Sequence, residues 1–368
     1  MRILQICSAR EIGGGERHLA DLVNSLSRRG HEVFAAVSPG SPVIDQLDLP
    51  TENFFQVRLR NSLDIPGAKR LARIARERSI DIIHAHLGRD YPLAALASRW
   101  SGDTPFVLTR HVLFPMHKIQ RRLLDRVSRV IAVSKAVADR LKKQSIFDAA
   151  KIVAIPNGVD LARFARRTAK KGAGRLLVGT VGHLSPIKGQ MDFVDAAARI
   201  VARRDDVDLL IVGEDKSDDG RNRATLERRI GELHLTERVR LTGWVDDIRD
   251  ILKALDVFVS SAKEEPFGLA IVEAMASGVP VVAVMSEGAI EIIEDGVTGR
   301  LVPIGDTIAL ENAIAELLLN SRLRDALATN ATDVVRHRFS LERMIDATER
   351  VYFEAIVTSG SATTSSAG

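Results

Sequence analysis

The sequence is poor in the groups that build two whole classes of site. It contains one cysteine, Cys7, so a disulfide framework and a thiolate zinc site are both excluded. Set in a strand pattern, Cys7 reads as plain core. No apolar run approaches the ~18 residues a membrane helix needs, and Met1-Arg2-Ile3-Leu4 leads into a strand without a signal-peptide pattern, which predicts a cytoplasmic location. The nucleotide motifs G-x-G-x-x-G and Walker A are absent. No acidic cluster with metal-ligand character stands out, because Asp218-Asp219 and Asp246-Asp247 read as solvated pairs, and no metal is expected.

What is present is a soluble, globular composition of 45% hydrophobic and 27% charged residues over 368 positions, enough for two domains. The net charge of +4 conceals an uneven distribution. Residues 1–165 hold 26 Lys and Arg against 16 Asp and Glu, while 166–368 hold 26 against 32. A basic first half suits an acidic acceptor or an anionic membrane surface, or is a set of scattered solvated faces.

Apolar periodicity alternates between strand and helix along the chain, as in strand 2–7, helix 16–29 and strand 31–38, and this predicts a doubly wound parallel α/β domain. The rhythm restarts at strand 175–181. The expected division is a first Rossmann-like domain over 1–165, a second over 166–337, a C-terminal helix over 338–357 packing back on the first, and a disordered tail over 358–368. Two such halves imply a cleft.

The most informative stretch runs from Glu264 to Pro280. Pro266 and Gly268 break structure, Leu269 to Ala276 propagate a helix, and Gly278 with Pro280 end it. Glu265 and Glu273 bracket that helix start, whose free N–H groups favour a phosphate. Carboxylates beside an anion site fit a ligand that is anionic in the middle and rich in hydroxyls at both ends, as a nucleotide-sugar is.

Other pieces fall where open α/β sheets bind ligands, beyond the strand C-termini. Gly13-Gly14-Gly15-Glu16 follows the first strand. His84, His86 and His111 end or follow strands of the first half; His84 reads as core, His86 is balanced between core and site, and His111 reads as a site residue. Lys188 and His183 flank a helix start in the second half, and either Gly213 or Trp244, at two further strand ends, could hold a nucleotide base.

With these residues assembled, the chain resembles the retaining GT-B glycosyltransferases of the family-4 type over nearly its whole length. The resemblance is carried by Glu265 and Glu273 in the E-x7-E spacing around Pro266-Phe267-Gly268, by Ser277-Gly278-Val279-Pro280, Gly13-Gly14-Gly15-Glu16, Pro156-Asn157-Gly158-Val159-Asp160 and Lys188-Gly189, and by Asp295-Gly296-Val297-Thr298-Gly299. It implies two Rossmann-like domains facing a central cleft and metal-independent transfer of a sugar from a UDP- or GDP-type donor, with no further cofactor. Glu265 would contact sugar hydroxyls, Phe267, Gly268 and Leu269 would offer backbone, Glu273 would bind the ribose, Lys188 would neutralise the diphosphate, Gly14 and Gly15 would approach the donor, and His111 would sit by the reacting sugar. The family usually has arginine where this chain has His183, a place Arg17 or Arg110 could compensate.

The acceptor expected is a glycan or lipid-linked molecule, such as a lipopolysaccharide core or envelope polysaccharide precursor, and not a nucleic acid. Residues 116–130, with Lys118, Arg121, Arg122, Arg126 and Arg129 among Ile119, Leu123, Leu124 and Val127, read as a basic amphipathic helix suited either to an anionic membrane or to ordinary docking on the sheet. Competing readings are a nucleotide-sugar epimerase, a glycoside hydrolase using the two carboxylates, and a non-catalytic nucleotide-sugar-binding protein.

Overall fold

The computed structural model describes residues 1–164 and 174–364, except for the side chains of 360–364. The chain divides into two compact units. Met1–Gly158 and the C-terminal helix that starts at Leu341 form the first, and Val159–Ser340 form the second.

The first unit carries a seven-stranded sheet of β1 (Arg2–Cys7), β2 (Glu32–Val37), β3 (Phe54–Gln56), β4 (Ile82–Ala85), β5 (Phe106–Arg110), β6 (Arg129–Ala132) and β7 (Ile152–Ala154) in the order β3-β2-β1-β4-β5-β6-β7. Every pairing is parallel. After Arg2, β1 is buried at every position, as expected of a strand covered by helices on both faces. Helix Gly14–Arg28 shows how that cover is written, with Leu19, Leu22, Val23 and Leu26 recurring at helical spacing and all at most 1% exposed. Gly30, at φ +84°, lets the chain turn away after it.

The second unit carries a six-stranded sheet of β8 (Leu176–Val181), β9 (Val207–Val212), β10 (Val239–Leu241), β11 (Val257–Ser260), β12 (Val281–Val284) and β13 (Arg300–Val302), ordered β10-β9-β8-β11-β12-β13 and also parallel throughout. The four residues of β12 are all buried, each valine contributing about 1.5–3 kcal/mol relative to exposure. In both sheets the strand order reverses beside the first strand, at β1/β4 and at β8/β11, so the loops leaving those four strands open at a topological switch point.

Several expectations are corrected. The boundary expected at 165/166 lies outside the described residues, and the units divide instead at Gly158/Val159 and Ser340/Leu341. Local pairing sets those limits: the Val159 N–H donates to the Phe339 carbonyl at 2.9 Å, keeping both in the second unit, whereas the Gly158 N–H faces the Met344 sulfur at 3.1 Å in the first. Strand β11 was not foreseen, since the four residues Val257-Phe258-Val259-Ser260 after a short helix give no period to read. The basic helix expected near 118–129 is one turn, Gln120–Leu123, because Leu124 and Val127 turn inward to the core. The last helix runs to Thr364, past the expected start of a tail at 358, and residues 365–368 lie outside the description. The hydroxyls of Thr358 and Ser359 satisfy themselves on the carbonyls of Glu354 and Ala355, so small polar residues continue the helix instead of fraying it.

That last helix packs on the first sheet. Tyr352, fully buried, accepts a hydrogen bond from Gln5 Nε2 at 3.1 Å and meets His84 Nδ1 at 2.6 Å, while Arg29 holds both Asp346 and Glu349 at 2.7 Å.

Candidate functional site

In the second unit, helix Leu269–Ala276 spans the residues its sequence signals mark, from Gly268 at φ +107° to a stop before Gly278 at φ +68°. Its N-cap residue, Gly268, supplies no side-chain cap. The loop before it is locked from behind. The Gly288 N–H donates to the Glu265 carbonyl at 2.8 Å, and a Cβ at Gly288 would lie 2.1 Å from the Phe267 carbonyl oxygen. The Phe267 ring is buried edge-on against Phe339, with centroids 5.8 Å apart, so only its backbone is free to offer contacts.

The loop after β8 is knitted to the same place. Gly189, at φ +65°, approaches Ser261 so closely that a Cβ would stand 2.0 Å from its carbonyl oxygen, and Ser261 Oγ donates to the Lys188 carbonyl at 3.0 Å. This close approach brings Lys188 Nζ to 2.6 Å from Glu265 Oε2, an ion pair with side chains only 21% and 15% exposed. A cation and a carboxylate therefore sit together beyond the β8/β11 switch point, beside a helix start. Glu273, further along the helix, is buried. His183 is exposed at the end of β8, yet partial desolvation and then the charges of Lys188 and Lys216 lower its pKa, so its ring is neutral at pH 7.

Gly213 and Trp244 close the β9 and β10 ends. A Cβ on Gly213, at φ +153°, would fall 1.9 Å from the Gly182 carbonyl oxygen, and the Gly213 N–H donates to the Gly243 carbonyl at 3.0 Å. Trp244 is 40% exposed, donates from Nε1 to Asp246 at 2.7 Å and has the Lys216 ammonium 5.9 Å from its ring. It is an exposed plate and not a buried cap. Of the acidic pairs, Asp219 and Asp247 are taken by Arg221 and Arg249.

In the first unit, Gly14 and Gly15 open helix Gly14–Arg28, and a Cβ at Gly15 would lie 3.6 Å from the His111 ring. His111 leaves β5 and His86 leaves β4. His84 is core with both nitrogens engaged, by Tyr352 and by Thr109 Oγ1 at 2.7 Å. Arg110 is buried and bonds the Phe114 carbonyl, which commits it within its own unit. The sequence reading missed His18, on the first helix. Its ring lies 4.9 Å from that of His111 and 6.1 Å from that of His86, and these three histidines are a group of metal-ligating composition where none was expected. Burial lowers the pKa of all three, that of His18 to about 4 against the opposing effect of Asn157. Asp90, buried after β4, accepts from the Ser8 N–H at 2.8 Å, and burial pushes its carboxyl up to about 6.

The profile of the glycosyltransferase family 4 matches residues 12–163, and that of the glycosyl transferases group 1 matches residues 163–334. The lipopolysaccharide core biosynthesis glycosyltransferase LpsE of Rhizobium meliloti is 30% identical over 338 residues, covering 91% of this chain and 94% of its own. The chain is a family-4 glycosyltransferase. A phosphatidyl-myo-inositol mannosyltransferase of Mycobacterium leprae is also 30% identical, covering 98% of both chains. Anabaena HepE in complex with UDP and glucose superposes with a TM-score of 0.83 at 26% identity, covering 95% of this chain and 98% of that one. The glycosyltransferase thus has the GT-B fold, two parallel-sheet α/β domains, that its strand orders describe.

Proposed function

We propose that this glycosyltransferase moves a sugar, with retention at the anomeric carbon, from a nucleoside diphosphate sugar of the UDP or GDP type to a glycan or lipid-linked acceptor in lipopolysaccharide core or envelope polysaccharide synthesis. The observation that carries the reading is the Lys188–Glu265 pair at 2.6 Å beside the start of helix Leu269–Ala276. A diphosphate supplies the anion that both the ammonium and the helix start accept. As it displaces Glu265 from Lys188, the carboxylate is released to accept from sugar hydroxyls.

In this reading Gly268 and Leu269 offer backbone to the donor, Glu273 takes the ribose, and His183, neutral at pH 7, adds a hydrogen bond but no charge. Gly213 or Trp244 borders the base. Charge developing on the leaving diphosphate is met by Lys188 and the helix amides, without a metal on the phosphates. The reading draws support from the relatives, which include a UDP-Gal:alpha-D-GlcNAc-diphosphoundecaprenol alpha-1,3-galactosyltransferase of Escherichia coli and the HepE complexes with UDP and UDP-glucose.

The acceptor would be met at the cytoplasmic membrane face. No helix among the described residues is long and apolar enough to cross a membrane, but Phe114, Ile119 and Leu123 are exposed at 60%, 77% and 39% among exposed Lys118, Arg121 and Arg122. Apolar side chains within a basic surface suit an anionic bilayer. A thermal-shift screen over UDP- and GDP-sugars tests the donor: one should raise the melting temperature, and failure of all of them refutes the assignment. Co-sedimentation with anionic but not neutral vesicles tests the surface.

A further inference from the structure

We infer that Lys216 is a second donor-binding cation of this chain, which meets the phosphate next to the nucleoside and supplies the charge that neutral His183 does not. The inference rests on the donor reading above and adds a residue to it. Strands β8 and β9 pair in parallel as far as Val181 and Val212, and the pairing continues past their ends. The Gly182 N–H donates to the Val212 carbonyl at 2.9 Å and the Leu184 N–H to the Glu214 carbonyl at 2.8 Å, and Leu184 forms a further parallel bridge with Asp215. The two loops therefore leave the sheet side by side. That pairing brings Lys216 of one loop alongside His183 of the other.

The base of this side chain is braced. The Asp215 carboxylate is occupied within its own loop, accepting from the Ser217 N–H at 2.9 Å, the Ser217 hydroxyl at 2.7 Å, Asn222 Nδ2 at 3.0 Å and the Arg223 N–H at 2.7 Å. A loop tied in this way presents its next residue from a fixed position. Lys216 is exposed, and its ammonium lies 5.9 Å from the Trp244 ring centroid, within reach of a cation–π contact. Its charge also bears on His183, whose pKa is lowered by burial first, then by Lys188 and then by Lys216. Two ammonium groups thus act on one neutral imidazole, and the lysines carry the positive charge at this edge of the sheet.

Strand order gives the direction of the ligand. Beyond the C-terminal ends of β10-β9-β8-β11 come, in turn, Trp244, Lys216, His183 with Lys188, and Glu265. A nucleoside diphosphate sugar carries base, diphosphate and sugar in the same order. With the sugar at Glu265 and the base at Trp244, the phosphate on the nucleoside side falls at the loop after β9. Neighbouring strands are about 4.8 Å apart, a step that a lysine side chain spans. A cation–π contact on an exposed ring is weak beside a charge-assisted hydrogen bond to phosphate, so the ammonium exchanges the first for the second when the donor binds. Trp244 is then uncovered for the base.

The test is calorimetry of UDP and GDP on the full-length protein. Lys216→Gln should weaken the nucleotide that binds by about 10-fold and flatten the dependence of its affinity on salt. Uridine or guanosine, which have no phosphate, should compete as well as they do on wild type. Lys216→Arg, which keeps the charge, should bind within about two-fold of wild type. Adding His183→Arg to Lys216→Gln should recover most of the lost affinity, because it returns a second cation to the same diphosphate; a lysine that only braced its loop could not be replaced in this way. Lys142→Gln, at an exposed lysine of the first unit, should change nothing. A Lys216→Gln protein that binds the nucleotide within about two-fold of wild type, or that loses the nucleoside as strongly as the nucleotide, overturns the inference alone. Wild type that binds neither UDP nor GDP overturns the donor reading with it, so the two failures are told apart.

Discussion

Replacing Glu265 with alanine should destabilise the empty protein and strengthen its response to a nucleoside diphosphate, two effects that separate this site from an ordinary surface ion pair. In the wild type, Lys188 Nζ and Glu265 Oε2 are 2.6 Å apart, with roughly four-fifths of each side chain withdrawn from water. Exposed pairs contribute about 0–1 kcal/mol and removal of one partner of a fully buried pair costs about 3–5, so this intermediate case should cost about 2 kcal/mol. For melting of the second unit, Val159–Ser340, which is about 180 residues long, that lowers Tm by roughly 4–8 °C. A diphosphate would restore a partner to Lys188, so saturating UDP or GDP should raise Tm further above the ligand-free value in Glu265→Ala than in wild type. Sugar transfer should nevertheless collapse, because the hydroxyl acceptor is gone. Differential scanning fluorimetry with and without nucleotide reads both shifts. A ligand-free variant melting within about 1 °C of wild type, or one no longer stabilised by the nucleotide, would refute the reasoning.

Glu273→Gln keeps the shape of a buried acceptor and should weaken nucleotide binding by about 10–100-fold in calorimetry. For His183→Arg, a permanent charge at an exposed position should tighten diphosphate binding about five-fold, near 1 kcal/mol. Wild-type affinity should rise as pH falls below the ordinary histidine range, because the lowered pKa keeps His183 neutral above it, and the arginine variant should lose that dependence. Asp90 titrates at about 6 in the folded protein against 3.8 as a free side chain, so the folded state holds the extra proton between these values and stability falls as pH rises through that window. The difference is about 3 kcal/mol, and Asp90→Asn, which cannot ionise, should gain that much relative to wild type between pH 3.5 and pH 7 in denaturant titrations. A variant whose difference from wild type is constant with pH would place the Asp90 proton elsewhere.

Some of this protein was written locally. The run from Pro266 to Pro280 marks its own helix through Gly268 and Gly278, and the resulting Leu269–Ala276 matches because caps and propensity act within a few residues. The alternation of strand and helix likewise gave the parallel sheets, since each strand reads as an apolar run bounded by turns. Short elements escaped for the same reason in reverse: β11 has four residues and no period, and the basic segment near 120 has a helical pattern that the inward packing of Leu124 and Val127 interrupts.

Residue chemistry at the strand ends was legible one piece at a time. Lys188, His111 and the two glutamates each announce themselves by type and position, but nothing near position 18 says that its histidine will stand 4.9 Å from the ring at 111. His18 also sits on the buried face of an amphipathic helix, where a sequence pattern reads only core. In a parallel sheet every crossover returns the chain to the same edge, so residues far apart in sequence become neighbours according to strand order. The order β3-β2-β1-β4-β5 gathers His18, His86 and His111, and the order β9-β8-β11 sets Lys188 against Glu265 across 77 residues of chain. Sequence alone determined which groups could do chemistry; the tertiary structure decided which of them meet, because strand order is settled by the packing of whole layers and leaves no local mark.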